Sequence, residues 1–195
     1  LVVGAGPAGL SAALEAAESG KRIILVEQDS ILGPSLIRDP QDLDAAWIDT
    51  TADRIRAAGG RILMRTTASG YWEHDLVTLT QRIAEPGQLP ANGVAQRLWH
   101  VRAQQVILAT GSIERPMAFA DNDRPGVMLS QAVRTYVQRF GVVPGKRVVI
   151  ATNNDDAYLT AHALKAEGAE IVAILDARPA PAGGECSFPV HNNVV

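Results

Sequence analysis

Leu1-Val2-Val3-Gly4-Ala5-Gly6-Pro7-Ala8-Gly9-Leu10 opens the chain, and its reading decides the fold. Three apolar residues stop at a Gly-x-Gly-x-x-Gly series, and the residues beyond carry Leu10, Ala13, Leu14 and Ala17 at helical spacing. The stretch therefore predicts a strand, a tight turn and a helix. Gly4 permits the sharp exit from the strand, Gly6 lets backbone approach a pyrophosphate with no Cβ between, and Gly9 lets helix and sheet pack closely. Pro7 suits a first-turn position, where its missing N–H has no intrahelical partner to lose. With Ala8 beside it, the first turn offers free amides and the positive end of the helix dipole to a phosphate.

Working outward, Ser19-Gly20-Lys21 closes the helix and Arg22 to Val26 reads as a second buried strand ending at Glu27-Gln28-Asp29. Glu27 stands eighteen residues after Gly9, near the spacing at which an acid accepts hydrogen bonds from a ribose diol. A carboxylate there repels a 2′-phosphate, which predicts an unphosphorylated adenosine ribose. FAD and NAD both present an ADP half to such a unit, so the motif alone does not separate them.

The chain has 195 residues, 47% of them hydrophobic and 20% charged, with a net charge of −3. That balance suits a buried core in one large or two small domains. No basic stretch is interleaved with aromatics, so nucleic acid is not an expected partner. No apolar run approaches the roughly 18 residues a membrane span needs. The single cysteine, Cys186, excludes a disulfide within the chain and fits a cytoplasmic setting. Leu1 already reads as strand, as if cut from a longer polypeptide.

Further along, Gly33-Pro34-Ser35 follows the second strand in a loop, and Leu43 to Ala58 shows an amphipathic pattern ending at Gly59-Gly60. Trp47 reads as core. Arg61 to Ala68 is a third strand, whose end near Ala68 would face the adenine. Ser69–Leu79, Thr80–Ala84 and Leu98–Arg102 read as an inserted antiparallel β-meander carrying the isolated His74 and His100. Gln105 to Gly111 is a returning strand, and Thr110-Gly111 lets backbone pass close to a dinucleotide. Arg115 can pair with an anion or with Glu114 or Asp121, the carboxylate pairing being the simpler reading. Ser130 to Phe140 predicts a helix with Val133, Tyr136, Val137 and Phe140 on one side.

A second nucleotide-fold pattern runs from Gly145 to Asp176, but Thr152-Asn153-Asn154-Asp155-Asp156 replaces the glycines. Two carboxylates then stand where a pyrophosphate would rest, and Asn154 and Asp155 read as helix caps. The tail after Arg178 shows no closing element. Together these features predict an α/β chain of two Rossmann-like units, the first with an inserted antiparallel β-meander. The first domain covers 1–115 with the meander inserted, and an incomplete second Rossmann unit covers 116–195. No His, Cys or paired-acid constellation marks a catalytic residue or a metal ligand.

Three segments carry a resemblance: Leu-Ala-Thr-Gly-Ser-Ile-Glu-Arg-Pro (108–116), Asn-Asp-Arg-Pro-Gly-Val-Met-Leu (122–129) and Pro-Gly-Lys-Arg-Val-Val-Ile-Ala-Thr-Asn-Asn-Asp (144–155). The chain resembles the alpha subunits of heterotetrameric sarcosine oxidases, and is similar to those of amino-acid and opine dehydrogenases and hydrogen cyanide synthase. The resemblance implies a two-dinucleotide-binding-domain flavoprotein fold of the glutathione-reductase type, with NAD at Gly4 to Gly9 and Glu27-Gln28-Asp29 and FAD as the alternative. It places Gly33 and Ser35 near the cofactor, Pro34 standing where a second glycine is usual. It also implies amine oxidation on a partner beta subunit with FAD, FMN at the interface, and further small subunits. The family reaction turns sarcosine, water and oxygen into glycine, formaldehyde and hydrogen peroxide, and tetrahydrofolate can capture the one-carbon unit. The family's ferredoxin-like and folate-binding regions lie outside these 195 residues. A self-sufficient NAD(P)H-dependent flavin reductase and a purely structural module are the competing readings.

Overall fold

Short apolar runs without polar interruption suit strands covered on both faces, and the first and second strands are of this kind. The computed structural model describes residues 1–34, 45–85, 87–88, 93–179 and 187–194. They divide into two units, Leu1–Ser112 and Ile113–Val195.

In the first unit, β1 (Val2–Val3), α1 (Pro7–Glu18), β2 (Ile24–Val26), α2 (Ala45–Ala57), β3 (Arg61–Leu63) and β7 (Ile107–Leu108) build a parallel sheet in the order β3-β2-β1-β7. Val2 lies opposite Leu25 and Ile107, and Leu25 opposite Ile62. Alternation along these strands sorts their side chains. Val2 and Leu25 pack with Leu10, Ala13 and Ala17 of α1 and Ile48 and Ile55 of α2. Val26 and Leu63 pack with Val77 and Leu79 of the meander, with Val3 and Ile24 against that group. Trp47 is half-buried against the helical core, as its spacing predicts. Arg54 ties the two helices together through its Nε–H bond to Glu18 at 2.9 Å.

The third strand is shorter than the sequence suggests. It ends at Leu63, and the chain turns at Arg65 (φ 52°) into β4 (Thr66–Trp72), the first strand of a separate antiparallel sheet. The reversal is held from β2: the Thr66 N–H donates to the Glu27 carbonyl at 2.7 Å and the Arg65 N–H to Asp29 at 2.9 Å. With β5 (Leu76–Arg82) and β6 (Gln96–Arg102), the order is β4-β5-β6. The sequence pattern predicts one β run across Glu73-His74-Asp75. His74 (φ 60°) and Asp75 (φ 58°) instead make two consecutive left-handed positions, the backbone of a tight hairpin turn.

The second unit contains α3 (Ser130–Phe140), β8 (Arg147–Thr152), α4 (Asp156–Ala166), β9 (Glu170–Asp176) and β10 (Val190–Asn192), with parallel order β10-β9-β8. The expectation of no closing element is corrected by β10, whose Val190 lies opposite Ile174. So short a strand, with one apolar residue, leaves no periodic signal. Ile150, Ala161, Leu164, Ile171, Ile174, Val137 and Phe188 form the core. On α3, Val137 is buried but Tyr136 and Phe140 are exposed, and Arg134 is buried in their stead, at 1% exposure. It can be, because its guanidinium bonds Asp156 twice and Thr160 once.

Candidate dinucleotide site

The glycine turn is shaped by what cannot fit there. Gly4 has φ 99°, and a Cβ on it would overlap the Ala109 carbonyl, where β7 ends. A Cβ on Gly9 would overlap the Gly4 carbonyl. The turn, the start of α1 and the end of β7 are thus pressed together to a distance only backbone allows. Gly6 is the N-cap with no side-chain cap, Pro7 occupies the first helical position, and the first turn holds no acid. Ala8 is exposed beside them. The first-turn amides, which no intrahelical carbonyl can reach, therefore stay available to an anion.

Ala5 joins this turn to the end of β2. Its N–H donates to Glu27 Oε2 at 2.8 Å, and its carbonyl accepts from the Gly33 N–H at 2.9 Å. The other oxygen of Glu27 accepts from the Asp29 N–H at 2.9 Å, and the residue is 5% exposed. Gln28 is exposed at the next position. Asp29, half-buried, accepts from the Ser30 N–H at 2.6 Å.

The remaining site residues divide. Thr110 and Gly111 (φ 70°) are exposed just past β7, and the Thr110 backbone lines the space beside Gly4. Ala68 belongs to β4, opposite Leu79 of the meander, because the turn at Arg65 ends the parallel strand before it. Ser35, Leu43 and Cys186 lie outside the described residues. His74 sits in the hairpin turn and His100 opposite Thr78. Among the described residues, Glu114 has no arginine partner. Its two oxygens accept from the Ser130 and Gln131 N–H groups at 3.2 and 2.8 Å and cap α3, while Asp121 pairs with Arg124. The cap leaves no local sequence signal, because its two bonds span sixteen and seventeen residues.

In the second unit, the corresponding strand-end acid is Asp176, fully buried. Arg178 grips it through Nε–H and a terminal N–H at 3.0 and 2.8 Å and reaches Asp155 at 2.6 Å, while the Tyr158 hydroxyl donates to Asp176 at 2.9 Å. The Arg178 bonds hold the Asp176 carboxyl down at about 2, from an ordinary 3.8, against the opposing effect of burial. The same pairing raises the Arg178 guanidinium further above its usual value. Asn154 caps α4 as expected, its side-chain oxygen accepting from the Asp156 N–H at 3.0 Å. Asp155 stands at the N-cap without a side-chain cap bond and serves Arg178. An Asp-x-Arg spacing was the available signal for this clamp.

Comparison with known proteins follows the same lines. The family described as FAD dependent oxidoreductase matches residues 1–39, a span that includes β1, the glycine turn, α1 and β2. The sarcosine oxidase subunit alpha of Rhizobium meliloti is 42% identical over 92% of this chain, and that of Corynebacterium sp. strain P-1 is 46% identical over 91%. The chain is a sequence relative of the sarcosine oxidase alpha subunits. It spans 19% of the length of each of these two relatives. L-proline dehydrogenase from P. horikoshii superposes with a TM-score of 0.68 at 23% identity, covering 90% of this chain and 34% of the other. The fold is that of the two-dinucleotide-binding flavoproteins, and the likeness to the sarcosine oxidase alpha subunits runs through both units. No helix among the described residues is long and apolar enough to cross a membrane.

Proposed function

We propose that this chain is the nucleotide-holding portion of a sarcosine oxidase-like alpha subunit, with NAD at the first site. The observation that carries the reading is the bare turn from Gly4 to Gly9, bounded by positions that no Cβ fits, within a chain 42% and 46% identical to two such subunits. The uncapped first-turn amides of α1 take the pyrophosphate, Thr110 and Gly111 pass beside it, and Glu27-Gln28-Asp29 bound the adenosine end. When bound, a nicotinamide ring supplies a hydride acceptor. The amine is oxidised on a partner beta subunit carrying FAD, with FMN at the interface and further small subunits completing a cytoplasmic complex. Sarcosine, water and oxygen become glycine, formaldehyde and hydrogen peroxide.

FAD at the same turn is the second reading, favoured by the FAD dependent oxidoreductase match over residues 1–39. A related amino-acid or opine dehydrogenase subunit would keep this architecture and change the substrate held by the partner. The Arg178 clamp in the second unit speaks against a self-sufficient NAD(P)H-dependent flavin reductase, which needs a second open nucleotide site. The test is mass spectrometry of the nucleotide released on denaturing the purified protein, together with sarcosine turnover. NAD at one per chain, with turnover only when a beta subunit is added, is the expected result. A stoichiometric flavin and unaided turnover overturn it.

A further inference from the structure

In the second unit, the groups that would meet a dinucleotide are bonded by the unit itself. The turn after β8 engages its own amides: the Asn154 N–H donates to Thr152 Oγ1 at 3.1 Å and the Asp156 N–H to Asn154 Oδ1 at 3.0 Å. Each carboxylate of that turn is met by a guanidinium from another part of the unit, Asp156 by the buried Arg134 at 2.9 Å and Asp155 by Arg178 at 2.6 Å. At the end of β9, Asp176 accepts four bonds of 2.8 to 3.0 Å, from the Arg178 backbone N–H, its Nε–H and Nη2–H, and the Tyr158 hydroxyl. The polarity of the place is thus inverted. In the first unit bare amides face an anion, whereas here two anions stand at the helix start and a cation reaches them from the neighbouring strand.

We propose that Arg178 is a ligand built into the second unit: its guanidinium spans the crevice from the end of β9 to the start of α4, holds the two together as a bound dinucleotide would, and shuts the unit to nucleotides. Arginine suits the task because Nη2 carries two hydrogens, one for Asp155 and one for Asp176, while Nε–H takes the second Asp176 oxygen. Arg178 is a positioning residue here. A crevice that carries its own counter-ion gains no stability from a nucleotide, whereas a site whose amides are bare gains it by mass action. The inference does not depend on which nucleotide the first site holds.

The test is hydrogen–deuterium exchange of the full chain, freed of co-purifying nucleotide and read peptide by peptide with and without ADP-ribose. In the parent, ADP-ribose should slow exchange within residues 4–33 and leave residues 147–178 unchanged. Arg178→Ala should speed exchange roughly ten-fold or more at both 155–160 and 174–178, the two ends losing protection together. ADP-ribose should not restore it, because Asp155, Asp156 and Asp176 remain to repel its phosphates. Asp155→Asn leaves Arg178 on Asp176 and should speed exchange at the start of α4 alone, which keeps the test decisive if Arg178→Ala unfolds the unit. The proposal is overturned if ADP-ribose protects 147–178 in the parent or in Arg178→Ala, if Arg178→Ala opens one end or neither, or if Asp155→Asn spares the start of α4. Absence of protection within 4–33, with the second unit behaving as expected, overturns the dinucleotide reading of the first site and leaves this proposal standing.

Discussion

Two strand-end acids, Glu27 and Asp176, occupy corresponding places in two copies of one topology, and they are neutralised in opposite ways. Glu27 is bonded by backbone amides of its own turn and loop, which leaves the adjoining α1 terminus bare. Asp176 is bonded by the Arg178 side chain, which also reaches Asp155 at the start of α4. The guanidinium joins the acid to the helix start, the two places a nucleotide would bridge. A strand, helix and strand therefore make an anion site only when their first-turn amides stay free. Topology alone does not supply one.

The comparison breaks hardest at Gly4. Gly4→Ala forces a Cβ into the Ala109 carbonyl at a left-handed backbone position, and should destabilise the first unit by about 3 kcal/mol or more. Trp47, Trp72 and Trp99 all lie in that unit, so tryptophan fluorescence during denaturant unfolding reads the loss there alone. In the second unit, Arg134→Met removes three bonds to Asp156 and Thr160, and should cost roughly 2 kcal/mol by far-UV circular dichroism, with the tryptophan transition unmoved.

Acid sharpens the contrast. Asp176 stays ionised in the fold down to about 2 but protonates near 3.8 once released, so its contribution is complete above pH 4 and fades between about 4 and 2. The second unit should lose stability across that window, and Asp176→Asn should flatten the dependence. The smallest effect belongs to Glu114→Gln, which weakens the cap on α3 by about 1 kcal/mol, again seen as a lower midpoint in circular dichroism.

The glycine turn was legible because its chemistry is local: each glycine answers a constraint within the next few residues or at an adjoining strand end. The degenerate second turn was legible for the same reason, its Asn-Asn-Asp-Asp being visible as side chains where none should stand. What escaped the sequence depends on distant partners. Arg65 turns the chain because Glu27 and Asp29 hold its neighbourhood from another strand, and that moved Ala68 from a sheet edge into the meander. Arg134 lies outside the apolar set Val133, Tyr136, Val137 and Phe140 that the sequence marks on α3, and it is buried because Asp156 and Thr160 of another helix bond its guanidinium. Glu27 kept its place at the strand end, but only the fold reveals where its oxygens point.

Ala5 is bonded through both of its peptide units, its N–H donating to Glu27 and its carbonyl accepting from Gly33. The amides of Ala5 and Gly33 consequently share a single latch, and deuterium should enter both through one common opening event. A bound nucleotide would slow the two in step, turning a pair of backbone protons into a gauge of occupancy.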